Sequence, residues 1–377
     1  MLRAAALGVA SASLATVAYT YAGYPLLVAA LSRLAPGRVR EDPTWRPRVS
    51  ALIPVYNAAK YVEPKVRSLL ALDWPADRLE ILLYVDGATD DTEAVCQRLA
   101  AEDPRVRVLV SRERSGKPTG VNRMKALATG EVLLMTDVRQ PLVPGSLRAL
   151  VSRLADPEVG CVSGNLVLEG STGAGAYWRY ESWIRDSEAR FRSMVGVTGP
   201  IYVVRKADLD ELPDDVILDD MWVPLKLRLE GKKLLFAEEA VALDAAFDDD
   251  RELGRKIRTL AGNYQLYARM PALLTPKNPS FFEVMSHKVA RLVCPFALVG
   301  LFGGTLVLAL PGGGLLARAV RGPARALLTA QLGAYALAAL GPRAGKLGAL
   351  PRTFVVLNYA AVAGLLRHLQ GTQKITW

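Results

Sequence analysis

The sequence predicts an α/β fold with a mostly parallel sheet, flanked by helices apolar enough to meet a membrane. Three features predict it: short apolar runs alternate with amphipathic ones between residues 49 and 250, several of those runs end in a polar residue, and both ends of the chain are apolar for longer than a strand requires. Hydrophobic residues make up 51% of the 377 and mean hydropathy is +0.18, high for a chain lying wholly in water. Part of the apolar material is therefore expected in lipid.

Residues 4–34 come first, and no charge interrupts them before Arg33. Such a run exceeds the roughly 20 residues needed to cross a bilayer. It is too long for the apolar core of a secretion signal and lacks a small-residue cleavage site with a polar start behind it, which favours a retained anchor at 1–34. The basic cluster RLAPGRVR that follows puts the next domain, 35–250, on the cytoplasmic side.

In that domain VSALIPVY reads as a strand, KYVEPKVRSLLAL as a helix, LEILLYVD as a strand, DDTEAVCQRLAAE as a helix and VRVLVSR as a strand. KPTGVNRMKALATG, VLLMTD and GSLRALVSRLAD continue as helix, strand and helix. This βαβ order implies a doubly wound sheet whose ligands bind beyond the carboxyl ends of the strands. Those ends are Tyr56-Asn57, Asp86-Gly87, Ser111-Arg112 and Asp137.

Beyond residue 250, basic and apolar residues interleave at helical spacing, so 251–288 is expected to lie at the membrane surface. The runs 289–311 and 323–342 are long enough to form a transmembrane hairpin over 289–342. The last apolar run, in 343–377, is broken by Asn358 and suits an interfacial or a transmembrane helix.

Charge and cysteine content narrow the chemistry. A formal +10 suits nucleic acid, an anionic leaflet or a phosphorylated substrate, but the charge is dispersed and no nucleic-acid recognition motif accompanies it. Cys96, Cys161 and Cys294 lack metal-site or disulfide spacing, and two histidines argue against a His-rich metal site or a Ser-His-Asp triad. A catalytic base is expected to be Asp or Glu. In VDGATDDT, Asp86 is placed to accept hydrogen bonds from a base or ribose, whereas Asp90 and Asp91 suit a helix cap. Lys117 precedes a helix where a diphosphate would be favoured, and Asp219-Asp220 open another helix, where an acid in a shielded cleft can serve as general base.

The motifs ALIPVYNAAKYVEPKVRSLLALDWPADRLEILLYVDGATDDT, SGKPTGVNRMKALATGEVLLMTD, GNLVLEG, YWRYESWIR, VTGPIYVVRK, LDDMWVPLKL and RKIRTLAGNYQL, in that order over about 49–275, resemble the family-2 glycosyltransferases of the GT-A type. With the flanking apolar helices, the chain is similar to the membrane-bound polysaccharide synthases of that family, which make cellulose, hyaluronan and poly-N-acetylglucosamine. The resemblance implies an inverting transferase at the cytoplasmic face of the cell inner membrane, moving sugar from a UDP-sugar to a growing polysaccharide or lipid-linked acceptor. It implies nucleotide-sugar contacts at Pro54, Tyr56, Asn57, Asp86, Lys117, Asp137 and Arg139. Asp137 matches the first Asp of the D-x-D motif and would hold Mg²⁺ or Mn²⁺. Asp220, beside Asp219, matches the general base. Arg255, Arg258 and Thr259 fall in the Q-x-x-R-W region that meets the diphosphate and the acceptor.

Three departures stand out: Arg139 replaces the second Asp, Thr259 replaces a Trp, and the tail GTQK lacks the leading Trp of a gating loop. They keep two other readings in view, a non-processive transferase on a polyprenyl-linked acceptor and a catalytically silent, nucleotide-binding partner of another synthase. Membrane lipids, and an accessory export partner for a polymer product, complete the expected partners.

Overall fold

The computed structural model describes residues 1–169, 173–245, 249–312 and 314–373. A long helix, α1 (Leu2–Leu34), leads into the domain. There β1 (Val49–Val55), α2 (Ala59–Leu70), β2 (Leu79–Asp86), α3 (Thr92–Glu102), β3 (Val106–Ser111), α4 (Lys117–Leu127), β4 (Val132–Met135) and α5 (Ser146–Leu154) follow in the expected order. Then come β5 (Val159–Glu169), α6 (Gly173–Phe191), β6 (Tyr202–Arg205), α7 (Asp219–Leu229) and β7 (Lys233–Ala245).

Seven strands form one sheet in the order β3-β2-β1-β4-β6-β5-β7. Every neighbouring pair is parallel except those made by β6, which runs antiparallel to β4 and β5. The central strands are buried on both faces, as their unbroken apolar runs require. Alternate residues serve opposite layers: Val49, Ala51, Ile53 and Val55 pack with Val62, Val66 and Leu69 of α2, while Leu52 packs with Val121 and Met124 of α4. The carboxyl ends of β1, β2 and β4 are thereby fixed side by side.

Four helices follow: α8 (Asp249–Arg269), α9 (Phe281–Ala309), α10 (Leu315–Leu340) and α11 (Lys346–Leu369). Among the described residues, Leu2–Leu34, Phe281–Ala309 and Leu347–Leu369 are long and apolar enough to cross a membrane. Of the expected hairpin over 289–342, the first arm is α9, which starts at Phe281, and the second is α10, which carries Arg318, Arg321 and Arg325 in its first half and falls outside that set. The final helix, expected to be either interfacial or spanning, is inside it. Of the candidate gating tail, residues 374–377 lie outside the described residues.

Small residues bring α1 and α9 together; a Cβ on Gly304 would stand 2.9 Å from both Ala10 Cβ and the carbonyl oxygen of Ala6. A buried polar cluster ties these helices to the domain. Tyr24 of α1 donates to Glu188 Oε1 of α6 at 2.6 Å, and His287 Nδ1 of α9 meets the same oxygen at 2.7 Å. Glu181, one helical repeat earlier on α6, pairs with Arg291 and lies 3.5 Å from His287 Nε2.

Candidate active site

Four strand ends and two helix starts converge at one edge of the sheet. Gly116, with φ of +90°, turns the chain from the end of β3 into α4 so that Lys117 opens the helix. From there Lys117 Nζ reaches Asp137 Oδ1 at 3.0 Å and Asp219 Oδ2 at 3.1 Å. Burial lowers the Lys117 pKa, but Asp137, Asp219 and Asp220 outweigh it and hold the ammonium above its usual range. Lys117 therefore stays charged.

Asp137 stands just past β4 with its side chain 37% exposed. Burial raises its pKa, but Lys117, Lys65 and Arg255 together hold it below the usual carboxylate range. Its Oδ2 carries no hydrogen bond among the described residues. No three carboxylate, Cys or His side chains gather to cage a metal among those residues. The donor set fits a hard divalent cation that takes one carboxylate, phosphate oxygens and water, and does not fit an all-protein cage.

Asp220 is the second acid of the cleft. Desolvation, and then its neighbour Asp219, push its carboxyl up to about 6, with Lys117 and Arg258 pulling the other way. It rests on Gly199: a Cβ there would stand 2.9 Å from Asp220 Oδ2, so a larger residue would require the carboxylate to shift. On α8, Arg258 acts electrostatically on Asp137, Asp219 and Asp220, and Arg255 on Asp137. Thr259 beside them is exposed.

The other expected contact residues also bond within the protein. Asp86 is fully buried, with Oδ1 accepting from Ser115 N and Oγ at 2.7 and 3.0 Å and Oδ2 from Gly116 N at 2.9 Å. Both oxygens hold the turn that delivers Lys117. Pro54 is buried within β1, while Asn57, at φ +42°, clasps the loop after β2 through Thr89. Tyr56 lies under the Arg114 guanidinium, 3.7 Å from the ring centroid. Asp90 accepts from Thr92 N at 3.1 Å, as a cap would, whereas Asp91 makes no capping bond.

Arg139 turns away from Asp137. Its Nε and Nη2 donate to Asp244 Oδ1 at the end of β7, at 2.9 and 2.6 Å, and Gln140 Nε2 donates to Asp244 Oδ2 at 2.8 Å. Beneath the same loop sits Lys65, with no exposed surface; its Nζ donates to Thr136 Oγ1 and to the Gln140 carbonyl, both at 2.6 Å. Burial draws its ammonium down to about 7 against the pull of Asp137. Two anchors thus pin the segment that presents Asp137.

Lys65, Arg114, Gly199 and Asp244 were not among the expected site residues. Asp244 had a signal, since VALD is an apolar run ending in Asp like those at Asp86 and Asp137. Lys65 had none.

Residues 50–209 match the family model for Glycosyl transferase family 2. The chain carries a family-2 glycosyltransferase domain. Its architecture is that of a mannosyltransferase from Pyrobaculum calidifontis, PcManGT, solved in complex with GDP-Man and Mn²⁺: the TM-score is 0.77 at 25% identity, covering 98% of this chain and 99% of that one. Glycosyltransferase AglD of Haloferax volcanii is 33% identical over 120 residues, 31% of this chain and 19% of that protein. A Campylobacter jejuni relative named GalNAc(5)-diNAcBac-PP-undecaprenol beta-1,3-glucosyltransferase is 27% identical over 169 residues, 44% of this chain and 53% of that protein. The match to these two curated relatives thus spans about a fifth and about half of their lengths. The expected GT-A fold and family-2 membership hold for this glycosyltransferase domain.

Proposed function

We propose that this family-2 glycosyltransferase transfers a sugar, with inversion, from a nucleoside-diphosphate sugar to a hydroxyl of a lipid-anchored acceptor. The observation that carries the reading is the juxtaposition of Asp220, raised to about 6, with a Lys117–Asp137 pair whose ammonium stays charged. One acid is tuned to take a proton while a cation and a carboxylate stand ready for a diphosphate.

In the proposed reaction Asp220 accepts the proton of the acceptor hydroxyl as its oxygen bonds to the anomeric carbon. The bond from that carbon to the phosphate oxygen breaks on the opposite face, and the electron pair leaves with the nucleoside diphosphate. Lys117, Arg255 and Arg258 balance the charge that gathers there. A divalent cation, Mg²⁺ or Mn²⁺, would be held by Asp137 and would supply further neutralisation of the leaving diphosphate. Arg139 takes no part in this; it holds the loop through Asp244.

The nucleoside is to be tested both as uridine and as guanosine, the latter because PcManGT was solved with GDP-Man. A lipid-linked acceptor is supported by the three apolar helices and by the undecaprenol-linked substrate in the Campylobacter protein's name. On this reading the chain is a multi-pass protein of the inner membrane with the catalytic domain in the cytoplasm, consistent with three free, buried cysteines. A panel of UDP- and GDP-sugars, scored by nucleoside diphosphate released with and without a lipid-linked acceptor, tests it. Acceptor-stimulated release that vanishes in Asp220→Asn supports transfer; release of no donor points to the silent-partner alternative.

A further inference from the structure

Arg185 stands on α6 with its guanidinium at the edge of the catalytic cleft. Its Nη1 donates to Thr198 Oγ1 at 2.5 Å, and Thr198 adjoins Gly199, the residue on which Asp220 rests. On the membrane side, α9 brings Lys288 and Arg291 into the same region, and Lys288 feels both arginines electrostatically. Three cations thus gather near the acid of the cleft, two of them on a helix apolar enough to cross a bilayer.

The local acids absorb only part of this charge: Glu181 pairs with Arg291, and Glu181 and Glu188 both act on Lys288. Glu188 is occupied by Tyr24 and His287, and Glu181 is shared between His287 and Arg291. Lys288 makes no hydrogen bond or ion pair among the described residues, and Nε and Nη2 of Arg291 are buried there without a hydrogen-bond partner. Cations brought together with donors to spare are the pattern that binds phosphate. Tyr177, whose hydroxyl is 3.4 Å from Arg291 Nη1, and Trp178, whose ring centroid is 5.8 Å from Arg185, add amphipathic surface of the kind that suits a lipid boundary.

We propose that Arg185, Lys288 and Arg291 bind the phosphate end of the lipid-anchored acceptor, its chain lying along α9 and its reacting hydroxyl directed to Asp220. The proposal rests on the acceptor reading given above. It assigns this protein a second anion site, distinct from the diphosphate site at Lys117.

The test is binding without any donor. The full chain in phosphatidylcholine nanodiscs is titrated with farnesyl diphosphate, with farnesol and inorganic diphosphate as controls and phosphatidylglycerol as competitor, read by tryptophan fluorescence. Saturable binding of farnesyl diphosphate is expected, at least tenfold weaker in both Lys288→Gln and Arg185→Gln, with nucleotide affinity and melting temperature kept. Farnesol binding as tightly, unchanged affinity in both variants, or phosphatidylglycerol displacing the probe at equal concentration would each overturn the proposal, the last by making this a headgroup site. Because no donor is present, loss of transfer with intact binding would instead count against the catalytic reading alone.

Discussion

Arg139 donates to Asp244 Oδ1 through both Nε and Nη2, and only 2% of the Asp244 side chain is exposed. The pair closes the end of β7 over the loop that carries Asp137. Removing either charge breaks the ion pair and leaves Asp244 with Gln140, or Arg139 with the Ala245 carbonyl, a loss of about 3 kcal/mol or somewhat less given the part-exposed arginine. Arg139→Ala and Asp244→Asn should each lower the melting temperature and raise the KM for the donor. The exchanged pair Arg139→Asp with Asp244→Arg should recover part of both. Wild-type metal affinity and activity in Arg139→Asp alone would show that the clamp has no functional weight.

Asp220→Asn should lower kcat by about 10² to 10⁴ while the nucleotide still binds, as expected for a lost general base. In the unaltered chain kcat/KM should rise with pH through about 6, because the base works only when deprotonated. The profile of Asp220→Asn should lack that limb.

Gly199→Ala tests the same carboxylate without touching it. The new methyl would press on Asp220 Oδ2 at 2.9 Å, so kcat should fall at least about tenfold with little change in thermal stability. A variant with normal kcat would mean that the carboxylate has room to move.

Lys65→Met removes the buried ammonium that holds Thr136 and the Gln140 carbonyl. Donor KM and the Mn²⁺ concentration for half-maximal activity should both rise, while kcat at saturation changes less. Recovery in Lys65→Arg is not expected, because the larger guanidinium has no space in a fully buried site.

The first four strands and helices were legible because each strand is an apolar run closed by a polar residue, as in LEILLYVD. The antiparallel β6 was not, since YVVR says nothing about direction and its pairing with β4 and β5 is decided at a distance. Within the cleft, Lys117, Asp137 and Asp220 could be found from their places at strand ends and helix starts. Lys65 could not: it lies two residues from Arg67, which reaches Glu63 and Glu102 at the surface, and nothing in KYVEPKVRSLL tells the buried cation from the solvated one. Asp86 illustrates the opposite case, a conspicuous residue whose oxygens are taken up by the backbone of Ser115 and Gly116.

The cluster of Tyr24, Glu188, His287, Glu181 and Arg291 crosses three separate stretches of the chain, two of them in helices suited to lipid. Cut at residue 35 and again before Phe281, the domain would keep Glu181 and Glu188 but lose the phenol, imidazole and guanidinium that meet them, exposing two carboxylates on a surface shaped to be covered. The long apolar helices therefore serve as the floor of the domain. A fragment trimmed of them is expected to be less stable than the full chain, and a comparison of the melting temperatures of the two checks this.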